Sequence, residues 1–213
     1  MPLAYRLAWK TKLLDMPRGR KGHSRPMPLS GGLAMFVGLL LVTTFFAGAQ
    51  KTVAVLAVGG LLLVVIGWVD DTFKARQKDF PAFPKLLVQL VVAVLAFLLD
   101  IRFRGISLTW LGAEEGAYVS FPLLVSLLAT VLWIVGLINM VNFLDGVDGL
   151  AAGATSFSAI TLFFLSMARG QEVTALLAVA LAGAALAFLR FNFYPAKFSW
   201  GMPGRCFWGL RSG

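Results

Sequence analysis

"FPLLVSLLATVLWIVGLINMVNFLDGVDGL", residues 121 to 150, decides the architecture. Between 122 and 141 its only polar side chains are Ser126, Thr130 and Asn139. An apolar run of about twenty residues, coiled as a helix, matches the hydrocarbon thickness of a bilayer, and a helix satisfies its own backbone polar groups where no water is present. The stretch therefore reads as a membrane helix. Its end is unusual, because Asn139, Asn142, Asp145 and Asp148 follow one another at steps of three, with Gly146 and Gly149 interleaved.

Five further apolar stretches accompany it, at 33–49, 53–69, 86–100, 151–168 and 173–190. The stretch at 86–100 is the shortest and extends into "FPAFP" at 80–84. Of the 213 residues, 59% are hydrophobic and 14% are charged, whereas soluble domains carry about 25% charged residues. These features predict an all-α, polytopic membrane helical bundle with about six transmembrane helices. Alternation in "IRFRGISLTWL" and "AYVSF", within 101–121, predicts a small β-hairpin at the extracytoplasmic face. "ALAGAALA", 180–187, is expected to let helices approach closely. The single cysteine, Cys206, excludes an internal disulfide and reads as an incidental small residue. The first thirty residues lack the compact apolar core of a cleavable signal peptide.

The net charge of +9 lies between apolar runs, so it points to membrane lipid and excludes nucleic acid as the expected partner. Six spans divide the nineteen Lys and Arg residues into fifteen on one side and four, Lys51, Arg102, Arg104 and Arg169, on the other. The richer side is expected to be cytosolic in a multi-pass protein of the cytoplasmic (inner) membrane.

Four of the ten acidic residues sit at helix ends on that side: Asp70 and Asp71 in "GWVDDTFKARQK", and Asp145 and Asp148. Adjacent carboxylates repel and sit poorly at the negative end of a helix dipole. Either the pair is solvated where a helix ends, or a divalent cation offsets it; Mg2+ accepts one or two carboxylates and phosphate oxygens together. Asp148 could alternatively cap the next helix. On one continuous helix the four polar residues from Asn139 to Asp148 would rotate away from a common face, so a break at the glycines is expected to regather them. The loop "DMPRGRKGHSRPMPLSGG", 15–32, adds Arg18, Arg20, Lys21, His23 and Arg25, stiffened by three prolines. Its charge suits anionic lipid or, together with the carboxylates, an anionic substrate and a metal; the lone His23 could equally be a packing residue.

Four blocks in order, "DMPRGRKGHSRPMPLSGG", "GWVDDTFKARQKDFPAFPKLLVQ", "NMVNFLDGVDGLAAG" and "FNFYPAK", resemble the polyprenyl-phosphate N-acetylhexosamine-1-phosphate transferases, glycosyltransferase family 4. Among them, the R-K-x-H form of the first block is most similar to the undecaprenyl-phosphate N-acetylglucosamine-1-phosphate branch. The resemblance implies transfer of a sugar 1-phosphate from a UDP-N-acetylhexosamine to a polyprenyl phosphate, with release of UMP, at the cytosolic face. It implies Asp70, Asp71, Asp145 and Asp148 as catalytic residues, with Asp70, Asp71 and Asp145 holding Mg2+ or Mn2+. Lys21, His23, Lys85, Asn139, Asn142 and Asn192 would bind substrate. A homodimer is compatible with it.

The same resemblance sets 1–197 as a partial transferase domain and 198–213 as an aberrant tail. Relatives start with an additional helix and continue after the last block with a sequence close to I-F-M-G-D-x-G-S; here "FSWGMPGRCFWGLRSG" holds no aspartate. Restoring one A after the Lys197 codon turns the reading into K-I-F-M-G-D-A-G, which implies a shifted frame. An inactive remnant of the family and, less well supported, a membrane transporter are the alternatives. A transport path would need acids near mid-membrane, whereas these four lie at one face.

Overall fold

A computed structural model describes residues 14–15, 27–28, 31–48, 50–76, 80–108, 112, 114, 116–145 and 147–193. Lys21, His23 and the basic loop around them, and the tail 198–213, lie outside the described residues.

Six helices carry the described chain: α1 Gly31–Ala47, α2 Lys51–Ala75, α3 Ala82–Leu98, α4 Leu123–Leu144, α5 Leu150–Ala168 and α6 Glu172–Asn192. Four of them (α2, α4, α5 and α6) are long and apolar enough to cross a membrane, while α1 and α3 are shorter apolar helices of 17 residues each. Seventeen residues still reach the lower end of what a bilayer requires. The polytopic bundle expected from hydropathy is thus present. The third helix does take in Phe83 and Pro84, starting right after Pro81, whose missing N–H costs nothing at a helix entrance.

Two short strands, β1 Leu14–Asp15 and β2 Met27–Pro28, pair antiparallel. Between α3 and α4, β3 Gly105–Ser107 pairs antiparallel with β4 Tyr118–Ser120, so the expected hairpin exists. Gly105 is required in it. A Cβ there would run into the backbone of Val119 and come within 2.7 Å of the Tyr118 ring.

The helices pack in the order α4, α3, α2, α1, α6, α5, with α5 and α6 making the most extensive contact. One apolar core joins α1, α5 and α6 to Leu56 and Val64 of α2 and Val141 of α4. A second joins Val55 and Leu63 of α2 to α3 and to Ile134 and Ile138 of α4. Helix α2 serves both through neighbouring stripes eight residues in repeat, about two helical turns. Small buried residues line the α5 and α6 faces, with Ala152, Ser156 and Ala159 on one and Ala178, Ala182 and Ala185 on the other. This bears out the close approach expected of "ALAGAALA".

The outer surface is apolar: Phe45, Leu132, Phe143 and Phe157 are all exposed, which suits a protein solvated by lipid. Hydroxyls on these helices bond back to their own turns, as Ser156 Oγ does to Ala152 O (2.7 Å) and Thr130 Oγ1 to Ser126 O (2.7 Å). Without water, that is the nearest available acceptor. The end of α2, the start of α3, the end of α4 and the start of α5 share one face of the bundle. Residues 99–122 lie on the opposite face.

Candidate active site

Helix α2 does not stop at its aspartates. It runs on to Ala75, so Asp70 and Asp71 lie within it and are 0% and 1% exposed. A solvated pair at a helix end is therefore the wrong reading: the helix continues, and packing removes both carboxylates from water. Burying a carboxylate costs several kcal/mol unless it is paired, and removal of its partner is strongly destabilising.

Asp70 has such a partner. Lys85, in the first turn of α3, forms an ion pair with Asp70 Oδ1. Its ammonium also lies 5.6 Å from the centroid of Phe80, and Phe80 in turn packs on Phe73 at 5.1 Å. The Lys85 side chain is 19% exposed, so part of it reaches the bundle surface while Asp70 does not. Lysine commonly buries its stem and keeps its charged head in a polar region.

One turn along α3, on the same side of the helix, Gln89 is buried. Its Oε1 accepts a hydrogen bond from Asn139 Nδ2 of α4 at 2.9 Å, and the same Nδ2 donates to Val135 O at 2.8 Å. Both amide hydrogens of Asn139 are thereby used. Asn139 ties α3 to α4, a structural duty that the expectation of substrate binding did not include. Helix α3 consequently reaches α2 through Lys85 and α4 through Gln89.

Helix α4 continues through Leu144, with Asp145 as its C-cap and the Asp145 N–H bonded to Val141 O at 3.2 Å. Asn139 and Asn142 thus share one unbroken helix, and the chain turns only after Asp145. The turn expected at the glycines is present, since α5 begins at Leu150. Asp148 does not cap α5. That position belongs to Gly149, in the left-handed region at φ 75°, and Asp148 is exposed. A glycine cap has no side chain to offer, and Asn192 Oδ1, from the end of α6, accepts the Gly149 N–H at 3.0 Å. Asn192 is buried and so holds the α4–α5 turn against α6.

Buried carboxylates are oxygen donors of the kind Mg2+ accepts while keeping several waters, but Asp70 and Asp71 are consecutive on one helix and so diverge, and Asp70 already pairs with Lys85. Among the described residues, no three His, Cys, Asp or Glu side chains are gathered as a metal cluster. The expected trio of Asp70, Asp71 and Asp145 is therefore not assembled among them; Asp145 ends α4, and α3 packs against both α2 and α4. Lys21 and His23 lie outside the described residues. Gln89 was missed in the sequence reading. Its signal was available, as an amide four residues after Lys85 in an apolar run has to find a partner inside the membrane.

A profile of the family described as Glycosyl transferase family 4 matches residues 53–212. A Bacillus subtilis (strain 168) protein named "Probable undecaprenyl-phosphate N-acetylglucosaminyl 1-phosphate transferase" is 32% identical over 98% of this chain and 56% of its own length. The phospho-N-acetylmuramoyl-pentapeptide-transferase of Heliobacterium modesticaldum is 34% identical over 87% of this chain and 59% of its own. The decaprenyl-phosphate N-acetylglucosaminephosphotransferase of Mycolicibacterium smegmatis is 31% identical over 97% and 53%. The chain spans a little over half the length of these relatives.

Proposed function

Because the chain belongs to glycosyl transferase family 4, we propose that it carries part of a membrane site for moving a sugar 1-phosphate, N-acetylglucosamine 1-phosphate by preference, from a UDP-sugar to a polyprenyl phosphate. The observation that carries this reading is the complete burial of Asp70 and Asp71 at one end of a membrane helix, with Lys85 on Asp70. An ordinary lipid-facing helix has no use for two buried acids, and intramembrane ionisable groups mark functional sites by default.

In the reaction, an oxygen of the lipid phosphate bonds to the β-phosphorus of the UDP-sugar. The bond from that phosphorus to the bridging oxygen breaks, and UMP leaves with the electron pair. Catalysis of such a step is mostly positioning and charge stabilisation. Lys85 supplies a fixed positive charge toward phosphate, and a carboxylate of the Asp70 and Asp71 pair takes the proton of a protonated lipid phosphate. Gln89 and Asn139 keep α3 and α4 in register, while Asn142, Asp145 and Asp148 offer polar groups to the nucleotide sugar. Lys21 and His23 add positive charge from the N-terminal loop. Mg2+ or Mn2+, for which Asp70 and Asp71 would offer carboxylate oxygens beside waters and substrate phosphate, would neutralise diphosphate charge. The excess of basic residues on the site face supports a cytosolic orientation.

Membranes containing the chain should exchange labelled UMP into UDP-N-acetylglucosamine when polyprenyl phosphate and Mg2+ are supplied, and EDTA should abolish the exchange. The same assay on a chain restored in frame after Lys197, with Asp71→Asn as control, separates the two family readings. Exchange only after restoration supports an inactive remnant, a reading favoured by the missing aspartate in 198–213. No exchange from either version overturns the transferase proposal.

A further inference from the structure

On the face opposite the carboxylates, α3 ends in an arrangement that helix energetics alone disfavours. The Asp100 N–H bonds to Phe97 O and the Ile101 N–H to Ala96 O, both at 3.0 Å, closing the helix as a Schellman motif. Glycine usually fills the left-handed position of that motif, yet here Asp100 does, at φ 69°. It is the only non-glycine residue with positive φ among the described residues. An acid is also poorly placed at the negative end of a helix dipole. Strain at one residue points to a use for its side chain.

That side chain gathers two guanidiniums. Asp100 Oδ1 accepts from Arg102 Nε at 2.9 Å, and Oδ2 accepts from Arg104 Nη2. Arg102 is further held 5.2 Å from the Phe97 ring centroid. The backbone between the arginines is pinned as well. The Phe103 N–H donates to Thr130 Oγ1 at 3.1 Å, Ser126 Oγ donates to Phe103 O, and the Phe121 N–H donates to Arg104 O at 2.8 Å. Each guanidinium has five N–H donors, and one carboxylate leaves most of them unused.

These unused donors border a cavity of about 230 Å³ lined by Arg102, Arg104, Phe121, Leu123 and Ser126. Sites for nucleotide-sized molecules are larger, roughly 300–1,000 Å³. Its surroundings are exposed and apolar: Leu98, Leu123 and Leu124 from the helices, and Ile106, Tyr118 and Val119 from the hairpin. A phosphate beside hydrocarbon, with net positive charge from two arginines and one aspartate, is the chemistry of a phospholipid at the membrane interface. Only four of the nineteen basic residues lie on this face by the assignment of spans, and two of them converge here.

We propose that Arg102 and Arg104, aligned by Asp100, form a binding site for the headgroup phosphate of an anionic phospholipid. The hairpin and the ends of α3 and α4 receive its acyl chains, and the captured lipid sets the depth of α3, whose other end carries Lys85.

Native mass spectrometry of the full chain in a neutral detergent, titrated separately with phosphatidylglycerol and with inorganic phosphate, tests this. One phosphatidylglycerol should be retained per chain. An arginine near a lipid surface contributes about 1 kcal/mol, so Arg104→Gln should weaken retention about fivefold and R102Q/R104Q about 25-fold. Arg104 is largely exposed, which keeps the single variant informative if the double variant misfolds. Equal retention by the unaltered chain and Arg104→Gln would overturn the site. Displacement of the lipid by millimolar inorganic phosphate would overturn its assignment to a phospholipid.

Discussion

Helix α3 has an ion pair near each end, and the two differ in what surrounds them. Near its start, Lys85 meets Asp70, a carboxylate with 0% exposure inside the bundle. Just past its other end, Asp100 is 45% exposed and is shared by Arg102 and Arg104. In water the second arrangement is screened and gains little, whereas in the first the removal of either charge takes a buried ion pair away from the other. The same residue types thus do different work at the two ends: at Asp70 the packing depends on the charge, and at Asp100 the charge only aligns its neighbours.

The sharpest way to break this contrast is at the buried end. Lys85→Met leaves Asp70 buried without its lysine and should destabilise the protein by about 3–5 kcal/mol, read by denaturant unfolding in detergent. The double variant D70N/K85M should recover most of that loss, because both charges are gone, yet UMP exchange should stay at least about 100-fold down. Equal stability of K85M and the unaltered chain would erase the difference between the ends.

A smaller effect is expected at the α4–α5 turn. Gly149→Ala places a side chain at φ 75°, where Leu189 at 3.5 Å leaves room but the backbone is strained, and should cost about 1–2 kcal/mol in the same unfolding measurement. Next comes the polar link within the membrane. Gln89→Leu should cost about 0.6–1.7 kcal/mol, and a double-mutant cycle with Asn139→Leu should return a coupling of that size. No coupling would mean that α3 is held to α4 by apolar packing alone.

The exposed end should respond least. Desolvation is the largest single influence on Asp100 and opposes its ionisation, but Arg104 and Arg102 together outweigh it and hold the carboxyl below its ordinary value of 3.8. A lowered carboxyl contributes stability that is fully present above that ordinary value and is lost as pH falls through the folded-state value. Asp100→Asn, which keeps a residue tolerant of the left-handed region, should lower Tm by no more than about 2 °C at neutral pH. The two melting curves should converge as the pH falls below the range in which Asp100 ionises. A difference that persists in acid would assign the effect to backbone conformation instead of charge.

Much of the fold was legible because membrane insertion imposes a local rule. Each span has to carry its own apolar length, so six stretches became six helices, with ends displaced by several residues where Phe83, Asp70 and Asn142 were absorbed into them. The hairpin could be read from alternation. At the site, the residue types were legible and their duties were not. The alternative that Asp148 caps the next helix fails, since Gly149 takes that place and Asn192 bonds to it. Asp70 and Asp71 looked as though they ended a helix, but the helix runs beyond them.

By itself the sequence determined that this chain lies in a membrane, where its helices run, and that Asp70, Asp71, Asp145 and Asp148 fall near span ends on the basic side, because hydropathy and charge are carried by each residue along the chain. Only the tertiary structure decided that Asp70 is sealed off with Lys85, that Gln89 reaches Asn139 across 50 residues, and that Asn192 reaches Gly149 across 43. Those pairings depend on which helix faces lie side by side. Packing sets that, through small residues and side-chain shape, and an apolar run reads alike whichever neighbour it meets.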